Sequence, residues 1–172
     1  MTATAENLKL TPDEYLQGER DGDTRHEYIH GQAYAMAGAG DAHNRVSGNA
    51  FALLKNHLRG SDCSTYMADM KVRINADEAF LYPDVMITCD PADHNRNYYK
   101  HAPILIIEVL SPRTEGYDRG GKFALYRELD SLQEYVLIDP RVYRVDIFRR
   151  NSENRWELYS WHDPQDKIEL KA

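Results

Sequence analysis

The sequence predicts one mixed α/β domain over residues 1–172, with a central mixed β-sheet flanked by helices and a β-hairpin near the N-terminus. Three observations predict it. Residues 104–110, ILIIEVL, form the continuous apolar run expected of a strand buried on both faces. Residues 42–60 repeat apolar side chains at helical spacing. The length suits one domain with a sizeable core, and no linker or internal repeat divides it.

The N-terminal part of the chain predicts a short helix, a hairpin and a long helix. Residues 11–19 form the short helix, because Thr11 and Glu14 match a capping box around a proline at the first helical position. Residues 26–38 alternate like a strand on each side of a His-Gly turn. The long helix covers residues 42–60 and ends at a glycine.

The rest of the chain predicts strands and one further helix. The predicted strands cover residues 64–74, 80–88, 104–110, 134–140, 142–150 and 156–161. A helix over residues 118–129 follows a proline-containing loop and crosses between two buried strands. The order of elements predicts a mixed arrangement around one sheet.

The net charge of −7 argues against a polyanion-binding protein of the usual basic kind. The charge is uneven, however. Residues 113–127 sum to +2 and residues 141–155 to +3, so a locally basic surface is compatible with the acidic whole.

Composition also bears on location. No run of about 18 apolar residues exists, so we expect no membrane contact. The N-terminal residues MTATAENLKL show no secretory signal pattern. Cys63 and Cys89 are too few for a disulfide scaffold, and their spacing does not match a zinc ribbon. These features predict a cytoplasmic protein.

Residues 26–30, HEYIH, match the His-Glu-x-x-His signature of zinc proteases. That signature needs a helix, so that both imidazoles face one metal ion. Here the flanking pattern favours a strand, in which His26 and His30 would stand about 13 Å apart. We therefore interpret both as surface histidines of a hairpin and rank a zinc peptidase low.

Glu108 interrupts the apolar strand 104–110 and shares a face with Ile106 and Leu110. Burying a carboxylate without a partner is costly, so Glu108 requires a cation, a hydrogen-bond network or a metal ion. A paired ion in the core and a functional site explain this residue equally well when it is taken alone.

Asp84 and Lys122 favour the functional interpretation. Asp84 follows Pro83 at the start of another apolar strand, and Lys122 lies near the start of the helix that follows Glu108. Two carboxylates with a nearby ammonium group on adjacent elements would form a site for Mg²⁺, which prefers oxygen ligands. Such an ion activates water and neutralises charge during phosphodiester hydrolysis.

This set of residues resembles the PD-(D/E)XK nuclease superfamily, and within it the Uma-two family of restriction endonucleases. Five blocks carry the resemblance over nearly the whole chain: TPDEYL, YPDVMI, APILIIEVLSPRT, DRGGKFALY and EYVLIDP. One departure from the superfamily pattern is Leu110, which stands where the motif has lysine. In the family the lysine is taken to have moved to the helix, which assigns its role to Lys122.

The resemblance implies a restriction-endonuclease-like core and a catalytic set of Glu27, Asp84, Glu108 and Lys122. Asp84 and Glu108 would bind Mg²⁺, with Mn²⁺ as a substitute, and the Val109 carbonyl would complete the metal site. Glu27 would orient a ligand water or a second ion, so the HEYIH match is incidental.

The leading hypothesis is thus a Mg²⁺-dependent endonuclease acting on DNA, working as a homodimer. The alternative is a catalytically silent nuclease-fold protein that binds DNA or a partner protein. His43 begins the long helix, where a polar first-turn role explains it more readily than a place in the site.

Overall fold

The computed structural model describes residues 9–172. The predicted domain start and most of the N-terminal stretch MTATAENLKL therefore lie outside the described residues. The helices are α1 (Pro12–Asp21), α2 (Asp41–His57), α3 (Pro91–His94), α4 (Glu115–Tyr117) and α5 (Phe123–Tyr126), with a 3-10 turn at Asn75–Asp77 and a π-helical turn at Asp118–Lys122.

Within residues 9–172, eleven strands belong to two sheets. They are β1 (His26–Ile29), β2 (Gln32–Ala35), β3 (Ser64–Met67), β4 (Lys71–Ile74), β5 (Ala79–Leu81), β6 (Val85–Thr88), β7 (Tyr99–Lys100), β8 (Pro103–Val109), β9 (Glu134–Asp139), β10 (Arg144–Arg150) and β11 (Trp156–Trp161). The large sheet has the order β11-β10-β9-β8-β6-β3, and the small sheet has the order β2-β1-β5-β4-β7. In the large sheet β8 and β9 are parallel and the other pairs are antiparallel, which confirms a mixed sheet.

Apolar residues cover both faces of the large sheet. On one face, Ile106, Leu110 and Leu137 pack with the small sheet and with Tyr126 of α5. On the other face, strand residues such as Ile107 pack against α2 and the C-terminal residues. Strand β8 is therefore buried on both sides, as its uninterrupted apolar run predicts.

Two of the strand predictions are wrong in that each predicted single strand is two strands, one in each sheet. Residues 64–74 form β3 and β4, separated where Ala68 adopts a positive φ of 53°. Residues 80–88 form β5 and β6, separated at Tyr82–Asp84. Pro83 lies in that break and has no N–H to donate to a ladder. The single predicted sheet thus becomes two.

The local predictions near the N-terminus are confirmed. Thr11 and Glu14 form the reciprocal capping box at the start of α1. The hairpin β1–β2 turns at His30 and Gly31, which both have positive φ. Helix α2 covers most of the predicted range 42–60.

A disulfide joins Cys63, just before β3, to Cys89, just after β6. Counting cysteines did not predict this single bond. It closes a loop of 26 residues and crosslinks two strands that already pair. By the chain-entropy argument such a bond contributes between about 3 and 4 kcal/mol to stability. No helix of residues 9–172 is long and apolar enough to cross a bilayer.

Candidate active site

The site begins with Glu108 near the end of β8. Its side chain lies on the same face as Ile106 and Leu110 and is 3% exposed. Strand β6 pairs with β8 so that Val85 faces Ile107, which places Asp84 beside Glu108 at the same edge of the sheet. Sheet pairing therefore brings together two carboxylates that are 24 residues apart in the sequence.

Two side-chain donors contact one carboxylate oxygen of Glu108. The Lys122 ammonium lies 3.1 Å from its Oε1, and the Tyr126 hydroxyl donates to the same oxygen at 3.0 Å. Burial raises the pKa of Glu108 well above its ordinary value. The charge of Lys122 opposes this shift, while Asp84, Asp118 and Glu27 add to it.

Lys122 is buried among carboxylates. Its Nζ lies 3.0 Å from Glu27 Oε1, 3.1 Å from Glu108 Oε1 and 3.7 Å from Asp118 Oδ1. Burial alone would lower the pKa of Lys122. The negative charges of Glu108, Glu27 and Asp118 outweigh burial, so the pKa is raised and the ammonium stays protonated.

Glu27 reaches the site from the small sheet. It lies on β1 and is 8% exposed. Besides the Lys122 ammonium, its Oε1 accepts from the backbone N–H of Tyr82 at 3.4 Å. Lys122 therefore links carboxylates from both sheets.

Asp84 occupies the more open part of the site, with a side chain 22% exposed. Its Oδ2 accepts from the Val109 backbone N–H at 2.7 Å, and the Nε2 of His43 lies 3.2 Å from the same oxygen. The hydrogen bond to Asp84 is the main cause of a raised pKa for His43. Val109 thus contributes its backbone to the site, and ligation of a metal by its carbonyl stays a prediction.

The free oxygens bear on whether a metal ion fits. In the described part of the chain, no hydrogen bond reaches Oδ1 of Asp84 or Oε2 of Glu108, so each carboxylate keeps one oxygen for a ligand. Oxygen donors of this kind suit Mg²⁺ and Mn²⁺. Over the same residues, no group of three or more His, Cys, Asp or Glu side chains is arranged to hold a metal ion. The carboxylate pair would therefore share the ion with water.

Three residues of the cluster were missed or ranked low by sequence reasoning. Asp118 lies four positions before Lys122, and this spacing, which places two helical side chains on one face, was the available signal for it. Sequence reasoning did not single out Tyr126, whose hydroxyl donates to Glu108. His43 was explained as a first-turn residue, yet it contacts Asp84 because the N-terminus of α2 lies over the end of β6 and β8.

The histidines of HEYIH have other surroundings. His26 lies on β1, and its Nδ1 pairs with the buried Glu19 at 3.1 Å. His30 lies in the turn that follows, with φ at 49°. Only the glutamate of this motif enters the cluster around Lys122.

A second ionic network fixes the helical segment that carries Lys122 to the large sheet. Asp146 on β10 is fully buried and accepts from Arg119 Nη1 at 2.6 Å and from the Ser160 hydroxyl. Burial alone would raise the pKa of Asp146. The hydrogen bonds from Ser160 and Arg119 outweigh it and hold the pKa below its ordinary value.

This shift predicts a pH dependence of stability. Because the pKa of Asp146 is lower in the folded state, its contribution is fully present above the unfolded value near 4 and is lost as the pH falls through the native value. We expect Asp146→Asn to reduce that part of the stability change. Urea midpoints measured from pH 6 to pH 2 check this, and the exposed Asp163→Asn serves as the control. An unchanged acid profile for Asp146→Asn would contradict the assignment.

Comparisons with known proteins bear on the fold and the family of this chain. A crystal structure described as "a putative nuclease belonging to DUF820" from Anabaena variabilis superposes with a TM-score of 0.74 at 16% identity, over 94% of this chain and 89% of that one. The likeness establishes the fold class, and the predicted nuclease-like α/β core is confirmed. The molecule is thus a nuclease-fold protein.

The family is equally clear. The sequence profile of Uma2, described as "Putative restriction endonuclease", matches residues 12–172, and the chain belongs to this family. Two Synechocystis relatives carry the names uncharacterized protein slr1290 and uncharacterized protein sll1609. The first is 40% identical over 95% of this chain and 86% of its own length. The second is 35% identical over 92% of this chain and 90% of its own length.

Proposed function

We propose that the chain is a Mg²⁺-dependent endonuclease that hydrolyses phosphodiester bonds of DNA, with Mn²⁺ as a substitute ion. One observation carries the proposal. The Lys122 ammonium lies within about 3 Å of both Glu27 and Glu108, and Asp84 lies beside Glu108 on the neighbouring strand of a nuclease fold. A buried cation among carboxylates with free oxygens suits phosphodiester chemistry, which needs both an ion site and a fixed positive charge.

Each residue has a separate role in this proposal. Asp84 and Glu108 would hold the ion, with the Val109 carbonyl beside them. When bound, the ion would activate water and neutralise charge on the phosphate. Lys122 keeps its proton because its pKa is raised, so it suits charge stabilisation at phosphorus better than proton removal from water. Glu27 orients Lys122 and a ligand water.

His43 acts through Asp84. Its Nε2 contacts the oxygen that also accepts from Val109, so within residues 9–172 no hydrogen bond engages the other Asp84 oxygen. We assign His43 a positioning role for that carboxylate.

The alternative, a silent nuclease-fold protein that binds DNA or a partner protein, has one observation in its favour. Lys122 already offsets part of the negative charge of Glu108 and Glu27, and residues 9–172 form no group of three or more side chains that could hold a metal ion. A metal-binding isotherm separates the two functions, because a silent domain has no need to keep a cation site.

Two further parts of the proposal concern assembly and location. A homodimer would present two sites to the two strands of a duplex. A cytoplasmic location stays a prediction, since a disulfide such as Cys63–Cys89 is more common in oxidising compartments.

The proposal is tested by incubating the purified protein with supercoiled plasmid. We expect nicking and linearisation with Mg²⁺ or Mn²⁺ and no cleavage with EDTA, because the carboxylates alone cannot activate water. Isothermal calorimetry of the same sample with Mg²⁺ gives a second readout. Absence of both cleavage and metal binding would leave the silent-domain alternative.

A further inference from the structure

The turn between β9 and β10 exposes two large apolar side chains. Residues 140–143, here called the turn tip, have the sequence PRVY. Val142 is 58% exposed and Tyr143 is 73% exposed. Tight turns usually carry Gly, Asn or Asp at such positions, for conformational reasons. Val142 and Tyr143 bury little surface within the chain, so folding does not account for them.

The turn tip lies at the same edge of the large sheet as the candidate active site. Strands β8 and β9 are parallel, with Glu108 facing Leu137, so both strands end at this edge. Arg144 faces Asp139 on the other side of the turn. Tyr143 therefore lies roughly 10 Å beyond Glu108 along the strand direction and two strand spacings, about 10 Å, to the side.

Ion pairs hold the turn tip against the helical segment that carries Lys122. The Arg141 guanidinium contacts Asp139 at 2.7 Å and Glu115 at 2.6 Å. Arg119, on the π-helical turn, contacts Asp146 at 2.6 Å. The turn tip and the candidate catalytic lysine thus form one fixed arrangement.

The charge around the turn tip differs from that of the whole chain. Three arginines and three carboxylates pair with one another around it, so the turn tip is locally neutral where the chain carries −7. These residues are Arg119, Arg141, Arg144, Glu115, Asp139 and Asp146. The side chains of Arg141 and Arg144 are 40% and 39% exposed, so each presents guanidinium donors to solvent beside Tyr143.

We propose that the turn tip is a nucleic-acid contact, in which Tyr143 stacks on a base and Arg141 and Arg144 face the neighbouring phosphates. Aromatic side chains beside guanidinium groups bind single strands and frayed bases in this way. A separation of about 14 Å corresponds to about four nucleotides at 3.4 Å per nucleotide. This inference rests on the proposed nuclease function and names how that site would hold its substrate strand.

The test measures binding of fluorescent single-stranded and duplex oligonucleotides with Ca²⁺ in place of Mg²⁺, so that cleavage does not interfere. We expect Tyr143→Ala to weaken single-strand binding about tenfold or more, because it removes one stacked base. Tyr143→Trp should restore binding. Tyr98→Ala is the matched control: Tyr98 is 49% exposed beside β7, in the small sheet, and its loss should leave the affinity unchanged.

The outcomes separate the turn tip from the nuclease proposal. Wild-type affinity in Tyr143→Ala, with plasmid cleavage intact, would overturn the contact and leave the nuclease function standing. Tyr143-dependent binding without any cleavage would support the contact and remove the nuclease function. No binding by the wild type overturns the contact. Light scattering that shows Tyr143→Ala turning a dimer into a monomer would assign this surface to a second copy, and would also overturn it.

Discussion

Replacing Asp84 with asparagine is expected to slow Mg²⁺-dependent DNA cleavage by about a thousandfold or more, with the fold intact. Removing a metal-binding charge forfeits several kcal/mol of transition-state stabilisation, and each 1.4 kcal/mol is about a factor of ten in rate. Asparagine keeps an oxygen that accepts from the Val109 N–H, so the free energy of unfolding should change by less than about 1 kcal/mol. Plasmid cleavage rates and urea unfolding measure the two quantities.

Asparagine is a better probe than alanine at this position. Asp84→Ala would leave the Val109 N–H without its acceptor, which lowers the free energy of unfolding by about 1 to 3 kcal/mol. A loss of activity in that variant would then reflect both reduced stability and the loss of the ion. The control is Asp41→Asn, which removes an exposed carboxylate from the start of α2. A wild-type cleavage rate in Asp84→Asn would exclude Asp84 as a metal ligand.

Replacing Lys122 with methionine is expected to destabilise the metal-free protein by about 3 to 5 kcal/mol, because Glu27, Glu108 and Asp118 would lose the buried cation with which they pair. The pKa of Glu108 is already raised by burial, and losing the ammonium raises it further. A raised native pKa gives stability that is present at low pH and lost as pH rises. The destabilisation should therefore grow from about pH 4 upward. Thermal and urea unfolding across this range measure it.

Two variants complete this experiment. Lys55→Met removes an exposed lysine from α2 and should leave stability nearly unchanged. Lys122→Met with Glu108→Gln removes one cation and one carboxylate together and should recover part of the loss, as expected for directly coupled groups. If Lys122→Met were as stable as the wild type at every pH, the carboxylates around Lys122 would not be ionised in the wild type.

Patterns within single elements predicted much of this fold. The capping box at Thr11 and the continuous apolar run of β8 depend on neighbouring residues, and the structure contains both. The division of residues 64–74 and 80–88 between two sheets was not predictable in the same way. A strand that passes from one sheet to another keeps its apolar content, so hydrophobic pattern does not record the transfer. Pro83 was the local sign of a break.

The candidate site shows the same contrast between features that neighbouring residues determine and features that the packing of distant elements determines. Glu108 was recognisable because a carboxylate within an aliphatic strand needs a partner. Lys122 was recognisable only together with Asp84 and Glu108, since a helical lysine is usually solvated, and the family resemblance then assigned it the role of the motif lysine. The contact between His43 and Asp84 depends on how α2 crosses the sheet, and nothing in the sequence near His43 specifies that crossing.

The π-helical turn at Asp118–Lys122 has a consequence for how the family varies. In a π-turn each hydrogen bond joins residues five apart, whereas in an α-turn it joins residues four apart. The π-turn is therefore equivalent to a single-residue insertion in a helix. Glycine at position 121 permits this geometry, because a Cβ there would lie 2.5 Å from the Tyr117 ring and would clash with it. In a relative that lacks the extra residue, the side chain that faces the carboxylates would come from a position one residue earlier in the sequence. Its lysine should then be sought one place earlier, and an ungapped alignment would wrongly report that the cation has been lost.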